Sequence, residues 1–264
     1  QTIALFFMMG MGVFGQGFVG KLAFPSANVS DRLEKTFTSV NFNMMIMVIY
    51  ALITIAIFGM WYYARYEGNF LPSPKKTFNP MMIVAIVILV PGTQFAANFI
   101  ANLTGYIRPD WLQQYNELFE TSGITDTTFV TVLYSVILAP ICEELIFRGV
   151  TMRCARKALP FALANLIQAA LFGLFHLNWI QGIYAFALGI VLGYVCERGG
   201  SIYYSMGLHL LFNLWGTLSG FFPDPGNSVV VFVIVIAVTI VSLVVGFVLF
   251  NKGRRKLPIN STGI

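Results

Sequence analysis

Residues 127–150 read TTFVTVLYSVILAPICEELIFRGV. No charge interrupts the stretch before Glu143 and Glu144, and Arg148 follows four residues after the second glutamate. An apolar run near twenty residues long is a transmembrane candidate. Three ionisable groups at its end are a different matter, because a charge at the bilayer centre costs at least ~2.5–3.5 kcal/mol. The fold turns on the run, and the function turns on its three charges.

Outward from this stretch the same composition continues. The chain is 57% hydrophobic and 10% charged, with a mean hydropathy of +0.77. Its 25 phenylalanines lie far outside soluble usage. Eight apolar segments follow in order: about 2–19, 42–63, 81–103, 127–147, 160–176, 180–196, 201–221 and 228–251. A lipid-spanning chain must satisfy its backbone within each segment, so the expected class is all-α, a polytopic membrane protein of about eight helices. Segments five to seven are short and close together, which predicts tight hairpins. One transmembrane domain over 1–264 is expected, with a motif-bearing core of about 127–218 and a short basic tail at 252–264. No A-x-A-like cleavage pattern follows the first segment, so it reads as a retained helix.

The net charge of +5 does not signal nucleic acid, because the basic residues lie beside segment ends. Lys75 and Lys76, then Arg153, Arg156 and Lys157, then Lys252, Arg254, Arg255 and Lys256 fall on one face of an eight-span chain. The positive-inside rule makes that face, and both termini, cytoplasmic. The loop 104–126 carries Asp110, Glu117, Glu120 and Asp126 against Arg108 and fits the outside. The loop 20–41, with Lys21, Arg32 and Lys35, fits less well. Cys142, Cys154 and Cys196 lie in or near membrane segments, so no disulfide is expected. Trp111, Leu112, Tyr115, Leu118 and Phe119 share one stripe of 111–122, which predicts an amphipathic helix at the outer interface. Trp61, Tyr62 and Tyr63 read as an interfacial aromatic belt.

Of eleven acidic residues, only Glu143 and Glu144 sit in a strongly apolar context, and both histidines, His176 and His209, lie in apolar runs. Glu144 and Arg148 are four apart and share a helix face, so they pair. Glu143 is rotated about 100° from Glu144 and is left free for chemistry. His209 and Asn213, and likewise Phe172 and His176, are also four apart. Counted at 1.5 Å per residue from the inner face, Glu143 lies ~15 Å deep if its helix ends at Arg153, and His209 ~13 Å. His176 comes out at ~24 Å, too deep unless segment five is strongly tilted or starts later, near Ala164.

The three groupings together, EELIFR (Glu143, Glu144, Arg148), FGLFH (Phe172, His176) and HLLFN (His209, Asn213), resemble the EExxxR, FxxxH and HxxxN/D motifs of the type II CAAX-prenyl-endopeptidase family. This is the wider CPBP or Abi group of intramembrane proteases. The resemblance covers roughly 130–216. It implies that Glu143 activates a water with help from His176, that His209 and Asn213 stabilise the oxyanion, and that Glu144 and Arg148 orient the site. The implied partner is a peptide or lipidated protein held among membrane lipids. General-base chemistry and oxyanion donors suit these residue types. No cofactor is required. A metal held by Glu143, His176 and His209 is a less favoured alternative. No HExxH or GxSxG motif occurs. The rival readings are a transporter with a proton relay, and a non-catalytic membrane scaffold such as a bacteriocin immunity protein.

Overall fold

Glycines and caps set the limits of the helices in the computed structural model, which describes residues 40–67, 79–122, 128–219 and 228–254. The first predicted segment, the loop to residue 39, Lys75, Lys76, Asp126 and the tail beyond Arg254 lie outside the described residues. Among those described, every regular element is helical. Helix α1 spans Val40–Tyr62 and runs on through a π turn, Tyr63–Glu67. Then come α2 (Pro80–Ile107), α3 (Pro109–Ser122), α4 (Phe129–Arg156), α5 (Phe161–Phe175), α6 (Trp179–Gly199), α7 (Ile202–Ser219) and α8 (Val229–Gly253). Asn79, Thr128, Asn178 and Ser228 start α2, α4, α6 and α8, each accepting a backbone N–H on its side chain. Gly200 closes α6 in the left-handed conformation, φ 66°, that favours glycine.

Five stretches are long and apolar enough to cross a bilayer: Met45–Arg65 within α1, and α2, α4, α6 and α8. The molecule is an all-α polytopic membrane protein. The 15 residues of α5 extend only ~22 Å against a hydrocarbon core of ~30 Å. The tight hairpins expected around segment six are present, since His176–Asn178 joins α5 to α6 and Gly200–Ser201 joins α6 to α7.

Two close helix crossings organise the bundle. Helices α2 and α8 meet at Gly92 and Gly246; a Cβ at Gly246 would come 2.6 Å from Leu89 Cγ. Pro91 weakens α2 just before this crossing. The Ser242 hydroxyl from α8 inserts there, accepting the Gly92 N–H at 2.9 Å and donating to the Ile88 carbonyl. These are the two groups that an α-helix joins at i and i+4, so the hydroxyl sits on the Ile88–Gly92 rung of the α2 ladder. Helices α5 and α6 meet through Gly173 and Gly182, where a Cβ on Gly173 would lie 2.5 Å from the Gly182 carbonyl oxygen. Small residues permit such approach inside a membrane, where no hydrophobic effect drives the helices together. Leu89, Leu192, Leu208 and Phe250 fill the core between α2, α6, α7 and α8. Tyr62, Leu145, Met152, Ala164 and Cys196 pack α1, α4, α5 and α6 together.

Several expectations change in three dimensions. Helix α4 continues to Arg156 instead of ending near Arg153, whereas α5 begins at Phe161, as the apolar run from about 160 predicted. Arg156 ties the ends level, donating from Nε to Glu197 on α6 at 3.1 Å and from Nη1 to Leu159 O at 3.0 Å. Recounted from Arg156, Glu143 lies ~20 Å along its helix; His176 lies ~22 Å from Phe161. Glu143 and His176 thus come level, while His209, ~13 Å along α7 by the same count, still meets Glu143 at 3.6 Å, so residue counts along separate helices do not give relative depth. Tyr62 is not part of a lipid-facing belt. It is buried, and its hydroxyl accepts from Arg153 Nη2 at 3.0 Å; Trp61 and Tyr63 do face outward. All three cysteines are free. The amphipathic helix forms as α3, with Trp111 stacked on Trp179 of α6 at 5.3 Å.

Candidate active site

Helix α4 is not a uniform α-helix. It passes through two π-helical stretches, Leu133–Leu138 and Leu145–Met152, with the α turn Ala139–Glu144 between them. π distortions are rare and concentrate at functional sites. Glu143 and Glu144 sit on the α turn between them, and Arg148 sits in the second π stretch.

The first stretch has a local cause. Ala139 N–H bonds back to Tyr134 O in π register, and the next carbonyl, Ser135 O, would then need the N–H of residue 140. Residue 140 is proline and has no N–H. The Ser135 carbonyl is therefore open, and Asn213 Nδ2 of α7 donates to it at 2.8 Å. One amide hydrogen of Asn213 is used in this bond and the second is left for another acceptor.

Glu144 and Arg148 form the expected ion pair, Nη1 to Oε1 2.7 Å, with both side chains 0% exposed. Arg148 also donates from Nη2 to the Gly189 carbonyl of α6 at 3.2 Å, and its guanidinium lies 4.6 Å over the Phe172 ring. Glu144 Oε1 takes a second contact, from His209 Nδ1 of α7 at 3.0 Å. An oxygen already accepting from arginine is an acceptor for the ring, so Nδ1 carries the hydrogen. The far nitrogen, Nε2, lies 3.6 Å from Glu143 Oε2. Glu143 retains 14% exposure, whereas His209 retains 3%.

His176 caps the C-terminus of α5. Its Nδ1 meets Phe172 O at 2.9 Å, and a carbonyl can only accept, so Nδ1 is the donor and Nε2 is left as a lone pair. The Phe172 ring meets both histidines edge-on, 5.0 Å from His176 and 5.7 Å from His209. Leu177 follows His176 with φ 53°, a left-handed conformation that a branched residue adopts at a cost of order 1–3 kcal/mol.

The site thus draws Glu143, Glu144, Arg148, His209 and Phe172 into contact. Asn213 is joined to α4 through Ser135. His176 is joined through Phe172, with neither glutamate carboxylate inside ion-pair distance. Among the described residues no group of three His, Cys, Asp or Glu side chains is gathered tightly enough to hold a metal ion. Two polar residues absent from the sequence reading also belong here. Gln168 and Asn165 of α5 are buried beside Gly189 and Gly193. The rule that singled out the histidines, a polar group in an apolar segment, would have found both.

Fold and site together define an integral membrane protein with a buried glutamate–arginine–histidine cluster among its helices. Residues 125–215 match the family described as Rce1-like, type II CAAX prenyl endopeptidase. That span contains every motif residue named above, so the core of the chain is similar to the CAAX-type intramembrane proteases. No curated protein and no solved structure matches the chain.

Proposed function

We propose that this protein hydrolyses a peptide bond of a membrane-associated or prenylated substrate with a water activated by Glu143 and His176, without a metal. The observation that carries this reading is His209 lying between the two glutamates, fixed by Glu144 on one side and turned towards Glu143 on the other. In the reaction Glu143 takes a proton from water as its oxygen attacks the scissile carbonyl carbon. The His176 Nε2 lone pair accepts a hydrogen bond from the same water. The carbonyl oxygen becomes an oxyanion, received by the second amide hydrogen of Asn213 and by His209 Nε2, which holds the Glu143 proton in the meantime. The Glu143 proton then passes to the leaving nitrogen as the C–N bond breaks.

His209 serves here through the proton it receives from Glu143; at rest its one hydrogen is on Nδ1. With Nδ1–H committed to Glu144, Nε2 donates only when the ring is an imidazolium. Glu144 and Arg148 touch no substrate in this scheme and serve to orient the ring.

The test is cleavage of a prenylated CAAX peptide by the purified protein in liposomes. The wild type should cleave it. Glu143→Gln should be inactive yet melt at or above the wild-type temperature, because it removes the cost of a buried ionisable group without changing shape. A chelator should leave the wild-type rate unchanged. Cleavage by Glu143→Gln near the wild-type rate would remove Glu143 from the mechanism and revive the transporter and scaffold readings.

A further inference from the structure

The Gly189 carbonyl accepts from two side chains, Arg148 Nη2 at 3.2 Å and Gln168 Nε2 at 2.8 Å. Gln168 is 0% exposed. Its Nε2 also donates to Asn165 Oδ1 at 2.7 Å, and Asn165 Nδ2 donates to Ile190 O at 3.0 Å. Both Nε2 hydrogens are therefore used on oxygen acceptors, which settles the orientation of the amide, since a flipped Gln168 would face two acceptors with a third. Gly193 makes room for this pair. A Cβ there would fall inside the Asn165 amide and 2.7 Å from Gln168 Nε2.

Stability alone does not account for Gln168. Its Oε1 is buried with no hydrogen-bond partner, and so is Arg148 Nε. A buried unpaired polar atom costs ~1–3 kcal/mol. Leucine would fill a similar volume without that cost. What glutamine adds is a second, independent hold on the carbonyl that anchors Arg148. From there the contacts run without a gap: Arg148 to Glu144, Glu144 to His209 Nδ1, and His209 Nε2 towards Glu143.

We propose that Gln168 is a positioning residue, which fixes the Arg148 guanidinium through their shared Gly189 carbonyl and so keeps the His209 hydrogen on Nδ1. The inference rests on the protease reading only for its consequence in catalysis; the geometry it asserts is a property of the resting protein. Without Gln168, the Gly189 carbonyl keeps Arg148 as its one side-chain donor, and the guanidinium bonded to it is held less firmly against Glu144. His209 then loses its fixed partner and exchanges its hydrogen between the two nitrogens.

The chain has only two histidines, so nitrogen resonances from 15N-histidine-labelled protein in micelles are assigned with a single His176→Gln variant. In the wild type, His209 Nδ1 is expected at the position of a protonated nitrogen. Gln168→Leu should move both His209 signals towards the averaged position of an exchanging ring, while His176 stays in place. Gly193→Ala, which displaces the same amides from the other side, should do the same. A folded Gln168→Leu protein with unchanged His209 signals would overturn the proposal, as would a wild-type ring already averaged. No substrate is present, so a failure of the protease reading leaves this result untouched. With the prenylated CAAX peptide, Gln168→Leu should lower kcat with little change in KM.

Discussion

Arg148 and Glu144 are held at 2.7 Å with no exposure to solvent, and each depends on the other for its place in the interior. Removing one partner of a buried pair strands a charge, at a typical cost of ~3–5 kcal/mol. Arg148→Ala should therefore reduce the yield of folded protein and lower its melting temperature, as well as abolish cleavage; a melting curve equal to wild type would show that the pair does not support the fold. Asn213 differs, because it is half-buried and its bond to Ser135 O is a single one. Asn213→Ala should leave the protein folded and lower turnover by roughly 10²–10³, the usual cost of losing an oxyanion donor. Steady-state kinetics on the purified variant checks this. The Glu144–Arg148 pairing was legible in sequence, since residues four apart share a helix face. The contact between His209 and Glu144 was not, because a separation of 65 positions puts it beyond any local rule.

Among the elements, α4 and the α5–α6 hairpin set the precision of the site. Pro140 opens the Ser135 carbonyl and couples α4 to Asn213, so a residue usually read as a helix breaker here supplies a tertiary acceptor. Helices α5 and α6 carry Gln168, Phe172, His176 and Gly189, and they approach closely at Gly173 and Gly182. Gly173→Ala places a methyl 2.5 Å from a backbone oxygen, which no side-chain motion relieves. Overpacking of this kind costs ~1–3 kcal/mol. The variant should melt lower and lose activity through displacement of His176. Activity kept at wild-type level would show that the crossing does not set the position of that ring. Segment existence and order were read from apolar runs, but the run through α4 gave its end too early. Arg153 and Arg156 looked like loop charges, whereas Arg153 is taken up by Tyr62 and Arg156 by Glu197.

At the scale of the whole molecule, helix lengths and the likeness of the core to an intramembrane protease family make this an integral membrane protein, and we propose that the face carrying Arg153, Arg156, Lys252 and Arg254 is cytoplasmic. A single cysteine at position 256, in a background free of native cysteines, should resist an impermeant thiol reagent in intact cells. One at position 110 should react. Labelling of 256 from outside would reverse the topology. The sequence by itself determined the all-helical membrane class, the amphipathic α3, the Glu144–Arg148 pair and the residues of the three motifs. These depend on composition and on spacing within one helix, and both are written locally. Tertiary structure alone decided the insertion of Ser242 into α2, the burial of Tyr62, the seat of His209 between two glutamates and the Gln168–Gly189–Arg148 junction. In each of these a donor finds an acceptor on another helix, where in a water-poor interior no solvent substitutes for the missing partner.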